Sequence, residues 1–343
     1  MVSNINQLLL RNIELLEGKQ PLLINLDANE LIQPWFDYYP DVEQITCFNN
    51  QLNTHQRISK QDKVSTFFDS HYQSDSIHDL VIIAFPKSKA ELAFTLAMIA
   101  PVTDENSYIL VVGDNKSGIK TLAKSAPDYI EFCTKQDAAR HCLLYSIRLK
   151  TVSTAFQLEQ WFSHYQVDVN NQQLTIAALP GVFSQQGLDK GTKVLLENLP
   201  EQISGSVLDF GCGAGIISVA LAKQFDNLDL TLVDVSALAI ASSKESLKLN
   251  NLTGNVIASD GLQNISQRYD TIVSNPPFHQ GLKTHYAATE VFLAQAKNHL
   301  NNQGQLLVVA NSFLKYQPIM EQAIKQTQRI VNEKGFAVYL AKK

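Results

Sequence analysis

The stretch Asn275-Pro276-Pro277-Phe278 combines residue types that suit one specific kind of chemistry. The Asn oxygen and the next backbone carbonyl can accept the N–H groups of a planar amine or amide, whose delocalised lone pair is a poor nucleophile. The prolines restrict the backbone and keep these acceptors in place, and Phe278 offers a face on which a planar ring can stack. The pattern indicates methyl transfer to a planar nitrogen, with Asn275, Pro276 and Phe278 as catalytic residues.

An isolated N-P-P-F also fits a proline-rich turn after a strand, so a second motif upstream matters. Residues 207–210 have the pattern of a buried strand and residues 216–222 that of an apolar helix, which places Gly211, Gly213 and Gly215 on the turn between them. Glycine allows a sharp turn and a close ligand, and the first N–H groups of a helix suit an anionic group. We therefore expect these glycines to bind a cofactor.

The order of the glycines distinguishes two kinds of cofactor. A dinucleotide fingerprint is G-x-G-x-x-G, and its third glycine would fall at Ile216. Here the order is D-x-G-x-G-x-G, with Asp209 on the strand before the turn, where it can orient bound groups or the turn itself. The sequence therefore favours S-adenosylmethionine over NAD.

Two more acids, Asp234 and Asp260, each end an apolar run that has the pattern of a strand. Asp234 can accept both ribose hydroxyls, and Asp260 can accept from the adenine amino group. Between them, Ser236 can cap a helix over residues 237–249. Each acid alone also fits a helix cap or a turn, but all these motifs in this order predict a nucleoside site.

These motifs resemble class I S-adenosylmethionine-dependent methyltransferases that act on amino groups. The residues that carry the resemblance are Asp209-Phe210-Gly211-Cys212-Gly213-Ala214-Gly215, Asp234, Asp260 and Ser274-Asn275-Pro276-Pro277-Phe278-His279. Two more segments are similar to bacterial ribosomal RNA guanine-N2 methyltransferases, namely Leu179-Pro180-Gly181-Val182-Phe183-Ser184 with Gly187-Leu188-Asp189 after it, and Val308-Val309-Ala310-Asn311-Ser312-Phe313-Leu314. The resemblance covers nearly the whole chain and is strongest in its second half.

This resemblance implies transfer of a methyl group from S-adenosylmethionine to the exocyclic N2 of one guanine of small-subunit 16S rRNA, nucleotide 1207. The guanine would be swung out of its stack onto Phe278. The cofactor-binding residues would be Asp209, Gly211, Gly213, Gly215, Asp234, Asp260 and Phe183, the last of which would close the pocket. The substrate-binding residues would be Phe278, His279 and Lys283.

The composition fits a protein of two domains, since the chain has 343 residues. No apolar run approaches the roughly 18 residues of a membrane span, and the first residues lack the pattern of a secretory signal. The four cysteines are scattered without C-x-x-C spacing, which predicts neither a metal site nor a disulfide framework. We expect a cytoplasmic monomer without a metal or a membrane partner.

The charge is unusual for a protein that binds nucleic acid, because the net charge is −5 and the pI is near 5.9. Contact with RNA would then depend on dispersed basic residues, shape and stacking. Within an assembled 30S subunit, ribosomal proteins share the neutralisation of phosphates. We therefore expect the partner to be small-subunit ribosomal RNA within that particle.

The first 150 residues share strand patterns with the second half. The run that begins at Asp79 parallels the one that begins at Asp270, but Ala84 stands where Asn275 stands later, and residues 22–27 lead into no glycine turn. The predicted fold is α/β: two tandem class I methyltransferase (Rossmann-like) domains, each a mostly parallel, doubly wound sheet with an antiparallel edge strand.

The predicted boundaries are residues 1–150 for a degenerate, non-catalytic domain and residues 160–343 for the catalytic one. The inert copy would bind RNA, shield the cofactor domain or assist its folding. Its candidate RNA contacts are Arg140, His141, Arg148 and Lys150. The alternative is two unrelated α/β domains that look alike because their strands are apolar.

Three rival functions share much of this pattern. A large-subunit rRNA guanine-N2 methyltransferase has nearly the same motifs. Enzymes that methylate a glutamine amide of release factors also use N-P-P. A non-enzymatic scaffold that binds S-adenosylmethionine fits less well, because Asn275 and its neighbours are intact.

Overall fold

A computed structural model describes residues 2–86, 88–150, 155–276 and 283–343, the side chains of 283–287 excepted. The chain divides into two compact units, Met1–Trp161 and Phe162–Lys343. In the part of the chain that is described, no helix is long and apolar enough to cross a membrane.

The described residues of the first unit form seven strands and five α-helices. Its strands are β1 Pro21–Ile24, β2 Ile45–Asn49, β3 Val64–Phe68, β4 Leu80–Ala84, β5 Tyr108–Asp114, β6 Ile130–Ala139 and β7 Cys142–Leu149. Its helices are α1 Asn4–Arg11, α2 Ile32–Tyr38, α3 Leu52–Ile58, α4 Lys89–Ile99 and α5 Leu122–Ser125. Short 3-10 turns cover Ile13–Leu15, Ala100–Val102, Ile119–Thr121 and Leu158–Trp161.

The second unit begins with a hairpin and continues into its own sheet. Its strands are β8 Ser163–Val169, β9 Gln172–Ala178, β10 Ser206–Phe210, β11 Asp229–Asp234, β12 Asn255–Ala258, β13 Tyr269–Ser274, β14 Leu300–Asn311, β15 Gln326–Glu333 and β16 Phe336–Lys342. Its helices are α6 Lys190–Glu197, α7 Ile216–Gln224, α8 Ala237–Leu249, α9 Lys283–Gln295 and α10 Tyr316–Ala323, and a 3-10 turn covers Ala296–His299.

The two sheets have the same strand order. The first runs β3-β2-β1-β4-β5-β7-β6, and the second runs β12-β11-β10-β13-β14-β16-β15. In each, five strands are parallel, and the sixth (β7 or β16) pairs antiparallel with both of its neighbours. The predicted fold class is therefore confirmed, including the antiparallel pairing at one edge. The order reverses between the first and fourth strands, which is where such sheets bind ligands.

The strand registers align the two units residue by residue. Pro21 lies opposite Leu80 as Val207 lies opposite Thr271, so Asp79 corresponds to Asp270 as the sequence predicted. These two acids also make equivalent contacts. Asp79 accepts from the backbone N–H groups of Lys19 and Gln20 at 2.7 and 2.8 Å. Asp270 accepts from the N–H and hydroxyl of Ser206, both at 2.9 Å. Asp79 thus fixes the segment before β1 against the start of β4, and Asp270 fixes the start of β10 against β13.

The cores explain why the central strands are continuously apolar. Both faces of these sheets are covered, so successive residues are buried whichever way they point. All four residues of β1 are buried, and Leu208 and Ile272 at the centre of the second sheet are fully buried. Burial of one such side chain contributes about 1.5–3 kcal/mol.

The helix α8 carries a polar stripe that fixes the β8–β9 hairpin. Ser242, Ser246 and Asn250 lie four residues apart on one face. Their side chains accept from the N–H groups of Leu179, Ala177 and Thr175 at 3.0–3.1 Å. The helix therefore bonds the edge of β9 as a neighbouring strand would. It also begins at the predicted cap, Ser236.

Candidate functional site

The candidate residues lie at one edge of the second sheet, where its parallel strands end. Asp209 is on β10 and Asp234 is the last residue of β11. Asp260 follows β12 by two residues, and Asn275 follows β13 directly. The fold thus brings to one crevice side chains that are up to 66 positions apart in the chain (275 − 209).

Asp209 is fully buried and anchors the helix that follows the glycine turn. Its Oδ2 accepts from the Ser218 hydroxyl at 2.7 Å and from the Ser218 N–H at 3.2 Å. Its Oδ1 is buried without a partner among the described residues. Burial raises the pKa of this carboxyl to about 7, against the effect of the Ser218 hydrogen bonds. Asp209 therefore holds the start of α7 against β10.

The glycine turn leaves open space above two of its three glycines. Gly211, Gly213 and Gly215 have φ values of 73°, 55° and 80°, which L side chains rarely adopt. Among the residues that the structure describes, a Cβ at Gly211 would meet nothing within 4 Å, and one at Gly213 would meet only Phe183 at 3.9–4.0 Å. At Gly215, by contrast, it would lie 3.1–3.3 Å from Ser243 of α8. Gly211 and Gly213 therefore suit a close ligand, whereas Gly215 permits helix packing.

The N–H groups of the turn are partly occupied. Gly211 and Cys212 donate to the Val233 carbonyl at 2.9 and 3.0 Å, and Gly213 donates to Asp234 Oδ2 at 3.1 Å. Burial also raises the pKa of the Cys212 thiol well above its usual range, which keeps it neutral.

Asp234 is held by backbone N–H groups on both sides. Its Oδ2 accepts from Gly213 and its Oδ1 accepts from Ser236 at 2.9 Å. Burial raises the pKa of the carboxyl, and these hydrogen bonds oppose that rise. Each oxygen keeps a second lone pair. The carboxylate is thus fixed at the strand end and can still accept from a ligand.

Asp260 and Phe183 flank this part of the crevice. Asp260 is half-buried, next to Gly261, whose left-handed φ of 64° reverses the chain. Phe183 is 54% exposed although it is large and apolar. The following residue, Ser184, accepts from the Tyr165 hydroxyl at 2.5 Å, which ties this segment to β8. Because Phe183 lies beside Gly213, it is positioned to cover a ligand on the glycine turn.

The amide nitrogen of Asn275 is anchored, and its amide oxygen accepts no hydrogen bond from the described part of the chain. Its Nδ2 donates to Thr192 Oγ1 at 2.8 Å and to Asp189 Oδ2 at 3.3 Å. Its Oδ1 is buried and has no partner among the described residues. An unpartnered buried acceptor is costly, at about 1–3 kcal/mol, unless a ligand satisfies it. Sequence reasoning missed Asp189 and Thr192, because only the fold brings α6 next to the end of β13.

The predicted substrate-binding residues lie next to or beyond the end of a described segment. Pro276 is described and buried. Phe278 and His279 lie outside the described residues, and so does the side chain of Lys283, the first residue of α9. Among the described residues, no group of three or more His, Cys, Asp or Glu side chains is arranged to hold a metal ion.

The equivalent crevice of the first unit has different residues at each position. Strand register places Leu23 at the position of Asp209, Asn49 at that of Asp234 and Ala84 at that of Asn275. Asn25 corresponds to Gly211 and Asp27 to Gly213. Apolar side chains therefore stand where the second unit has Asp209 and Asn275, an amide replaces the carboxyl group of Asp234, and polar side chains replace two of the glycines.

The side chains at the Asn25 turn make contacts within the first unit. Asn25 Oδ1 accepts from the Asn50 N–H at 2.8 Å. Asp27 forms a 2.7 Å ion pair with Arg57. The sequence predicted that no glycine turn exists here, yet Asn25 keeps the left-handed backbone, with φ of 53°. Asn is among the few residues that tolerate this conformation, so the turn persists without a glycine.

The basic residues proposed for RNA contact lie on the β6–β7 edge. Arg140 and His141 are exposed and form its tight turn with φ of 51° and 62°. The equivalent turn of the second unit is Lys334-Gly335, also with two positive φ values. Lys150 donates to the Pro127 carbonyl at 2.7 Å.

Two family models match the chain. The "Methyltransferase small domain" model matches residues 173–340, and the "Methyltransferase small domain N-terminal" model matches residues 6–165. A structure described as the T. thermophilus 16S rRNA N2 G1207 methyltransferase in complex with AdoMet and guanosine has a TM-score of 0.82 at 20% identity. It aligns with 99% of this chain and 92% of its own, which shows that the whole two-unit fold is shared.

Similar sequences cover the full length. The protein named ribosomal RNA small subunit methyltransferase C of Colwellia psychrerythraea is 51% identical, over 99% of this chain and 98% of its own. The protein of the same name from Pseudoalteromonas translucida is 42% identical, over 99% of each chain. With identity of this extent over both units, the chain belongs to the ribosomal RNA small subunit methyltransferase C family.

Proposed function

We propose that this protein transfers a methyl group from S-adenosylmethionine to the exocyclic N2 of guanine 1207 in small-subunit 16S rRNA. The names of its full-length relatives, and the G1207 target named for the T. thermophilus protein, support this substrate. The chemistry is supported by Asn275 Oδ1, a buried acceptor that has no partner in the part of the chain that the structure describes and that an amino N–H of guanine would satisfy.

The crevice of the second unit fits S-adenosylmethionine. The open space above Gly211 and Gly213 would receive the methionine portion. Asp234 would accept from the ribose hydroxyls and Asp260 from the adenine amino group, while Phe183 would cover the ligand. Gly215 acts indirectly, because it lets α7 and α8 pack closely. When bound, the cofactor supplies a methyl group on a positively charged sulfur.

Asn275 and Pro276 would act on the other reactant. The Asn275 oxygen and the Pro276 carbonyl accept the two N–H groups of the guanine amine, which turns its nitrogen toward the donor. Because Thr192 and Asp189 already hold the Asn275 amide, little reorganisation is needed there, and positioning can lower the barrier by several kcal/mol. Phe278 would stack on the base, with His279 and Lys283 as neighbouring contacts. The proton lost from nitrogen would pass to water.

The first unit would be a non-catalytic copy. Leu23, Asn49 and Ala84 replace Asp209, Asp234 and Asn275, and Asn25 and Asp27 replace Gly211 and Gly213. We infer that this unit contributes to RNA binding, through the basic β6–β7 edge, or to the stability of the chain.

The protein would act in the bacterial cytoplasm, as a monomer, on RNA within the assembled 30S subunit. A net charge of −5 supports a packed particle over naked RNA, since ribosomal proteins there share the neutralisation of phosphates. No metal ion is part of the proposed reaction.

Methyl transfer from labelled S-adenosylmethionine tests this proposal directly. The acceptors would be 30S subunits, 50S subunits, naked 16S rRNA and release factor, all from cells that lack the corresponding methylation. We expect label on N2 of a single 16S guanine, with the 30S subunit as the better acceptor. Label on 23S rRNA or on a glutamine amide would select a rival function, and cofactor binding without transfer would indicate a scaffold.

A further inference from the structure

We propose that Asp189 and Thr192 are positioning residues that set the orientation of the Asn275 amide, so that its oxygen and not its nitrogen faces the substrate amine. The inference rests on the proposed function and extends it to residues outside the motif. Thr192 is buried, with 4% exposure, and lies 83 positions from Asn275 in the chain. Both residues contact the same Asn275 nitrogen.

The chemistry of the contacts determines the orientation. An ionised carboxylate only accepts hydrogen bonds, and an Asn side chain has one accepting end and one donating end. The amide must therefore turn its nitrogen toward Asp189, which leaves its oxygen on the other side. A flipped amide would place an acceptor against an acceptor at 3.3 Å, and a donor against the donor of the substrate. Such a flip would weaken the contacts of Asn275 with Asp189 and Thr192. It would also remove the acceptor that binds the guanine amine.

Asp189 is itself held in place by the start of α6. It is the N-cap residue, and its Oδ1 accepts from the Gly191 N–H at 2.8 Å. Both of its oxygens lie within 3.3 Å of the Thr192 N–H. One carboxylate thus caps a helix and orients the amide of a residue on another element. The cap positions Thr192 as well, so the two contacts to Asn275 form together.

Asp189→Asn separates the two roles of this carboxylate. Asn is as good a helix cap as Asp, so α6 should remain. With its oxygen toward Gly191, however, the new side chain would present an NH2 group to the Asn275 nitrogen. The Asn275 amide would then flip. We expect the rate of methyl transfer at saturating substrate to fall about 100-fold, a typical loss when one fixed polar group at a reacting centre is misplaced.

The Thr192 contact is tested by two substitutions of similar size. Thr192→Val keeps the shape but removes the acceptor, and we expect a fall of about tenfold in the transfer rate, equivalent to one hydrogen bond. Thr192→Ser restores the hydroxyl and should restore most of the rate. A purely packing role for Thr192 would give the reverse order, with Val closer to the wild type.

Exchanging the side chains at positions 189 and 275 distinguishes a positioning role from a merely structural one, because only a positioning role predicts recovery of the transfer rate. Asn275→Asp alone would place two carboxylates against each other and should be nearly inactive. In the double variant Asp189→Asn with Asn275→Asp, the new amide at position 189 would donate to one oxygen of the new carboxylate at position 275, and the other oxygen would face the substrate. We expect the double variant to be at least about tenfold faster than either single variant, which is a positive coupling between the sites.

The experiment measures single-turnover methyl transfer to unmethylated 30S subunits by the full-length chain, alongside cofactor affinity and melting temperature. Asp168→Asn, at an exposed acid on β8, is the matched control and should behave as the wild type. An Asp189→Asn variant within about threefold of the wild-type rate overturns the inference, and so does a double variant no faster than the singles.

Inactivity of the wild type toward every RNA would instead overturn the proposed function. The contacts of Asn275 with Asp189 and Thr192 are then tested without activity, by measuring hydrogen exchange of the Asn275 side-chain NH2 group by NMR. Slow exchange that becomes fast in Thr192→Val supports the positioning role, and equal exchange in both proteins contradicts it.

Discussion

Asn25 and Gly211 occupy equivalent positions after the first strands of the two sheets, and both have left-handed backbones, with φ of 53° and 73°. Each donates its N–H to the carbonyl at the same place on the neighbouring strand, Phe48 at 2.8 Å and Val233 at 2.9 Å. The first residue after the strand therefore keeps the same backbone conformation and the same hydrogen bond in both units. What differs is the side chain, since Asn25 projects one where Gly211 leaves space.

This equivalence predicts how substitutions at Asn25 affect stability. Asn25→Ala should destabilise the first unit by about 2 kcal/mol, because Ala is strained in the left-handed region and loses the bond to the Asn50 N–H. Asn25→Gly loses only the bond and should cost about 1 kcal/mol. Both tryptophans, Trp35 and Trp161, belong to this unit, so their fluorescence during urea unfolding reports it. Equal losses for Ala and Gly would contradict the backbone argument.

Gly213→Val should abolish binding of S-adenosylmethionine, because its side chain would fill the open space above the turn. Gly335→Ala, on the β15–β16 turn, is the control for backbone strain alone. Its φ is 83°, and the described residues leave open space there too. Calorimetric titration of both variants measures the cofactor affinity. Retention of affinity in Gly213→Val would show that the ligand does not approach this glycine.

Asp234→Asn should weaken cofactor binding at least about tenfold, since hydrogen bonds to a charged group contribute about 1.5–3 kcal/mol. The new NH2 group would also face one of the two N–H donors that now bond this carboxylate. Asp229→Asn, exposed at the opposite end of β11, is the control. The same titration compares the two variants, and equal affinities would remove Asp234 from the site.

The raised pKa of Asp209 predicts a dependence of stability on pH. Burial raises this pKa from 3.8 to about 7, so the folded protein binds a proton that the unfolded chain releases. The resulting stabilisation is complete below pH 3.8 and is lost as pH rises through about 7. Asp209→Asn should remove this loss, so its melting temperature should fall less than that of the wild type between about pH 5 and pH 8. Parallel profiles, measured by circular dichroism, would contradict the assignment.

Much of the fold was readable from the sequence because its signals are local. Apolar runs that end in Asp209, Asp234 or Asn275 identify parallel strands and place polar groups at their carboxyl ends. The parallel between the runs at Asp79 and Asp270 predicted the repeat, which the strand registers bear out.

What the sequence did not reveal depends on contacts between distant segments. The serines of α8 look like ordinary helix residues until β9 is placed against them. Asp189 caps α6 within its own segment, but its contact with Asn275 exists only in the folded chain. Asn25 keeps a left-handed turn because its neighbours hold it there, which a search for glycines cannot detect. The substrate roles of Phe278, His279 and Lys283 stay predictions.

In the proposed reaction, the oxygen of Asn275, which has no partner among the described residues, holds the amine that is methylated. Single-turnover methyl transfer to unmethylated 30S subunits by Asn275→Ala, with cofactor affinity measured on the same preparation, tests it most directly. We predict that transfer falls by at least about 100-fold while cofactor affinity stays within about twofold of the wild type. Transfer at the wild-type rate, or loss of cofactor binding together with transfer, would contradict the account.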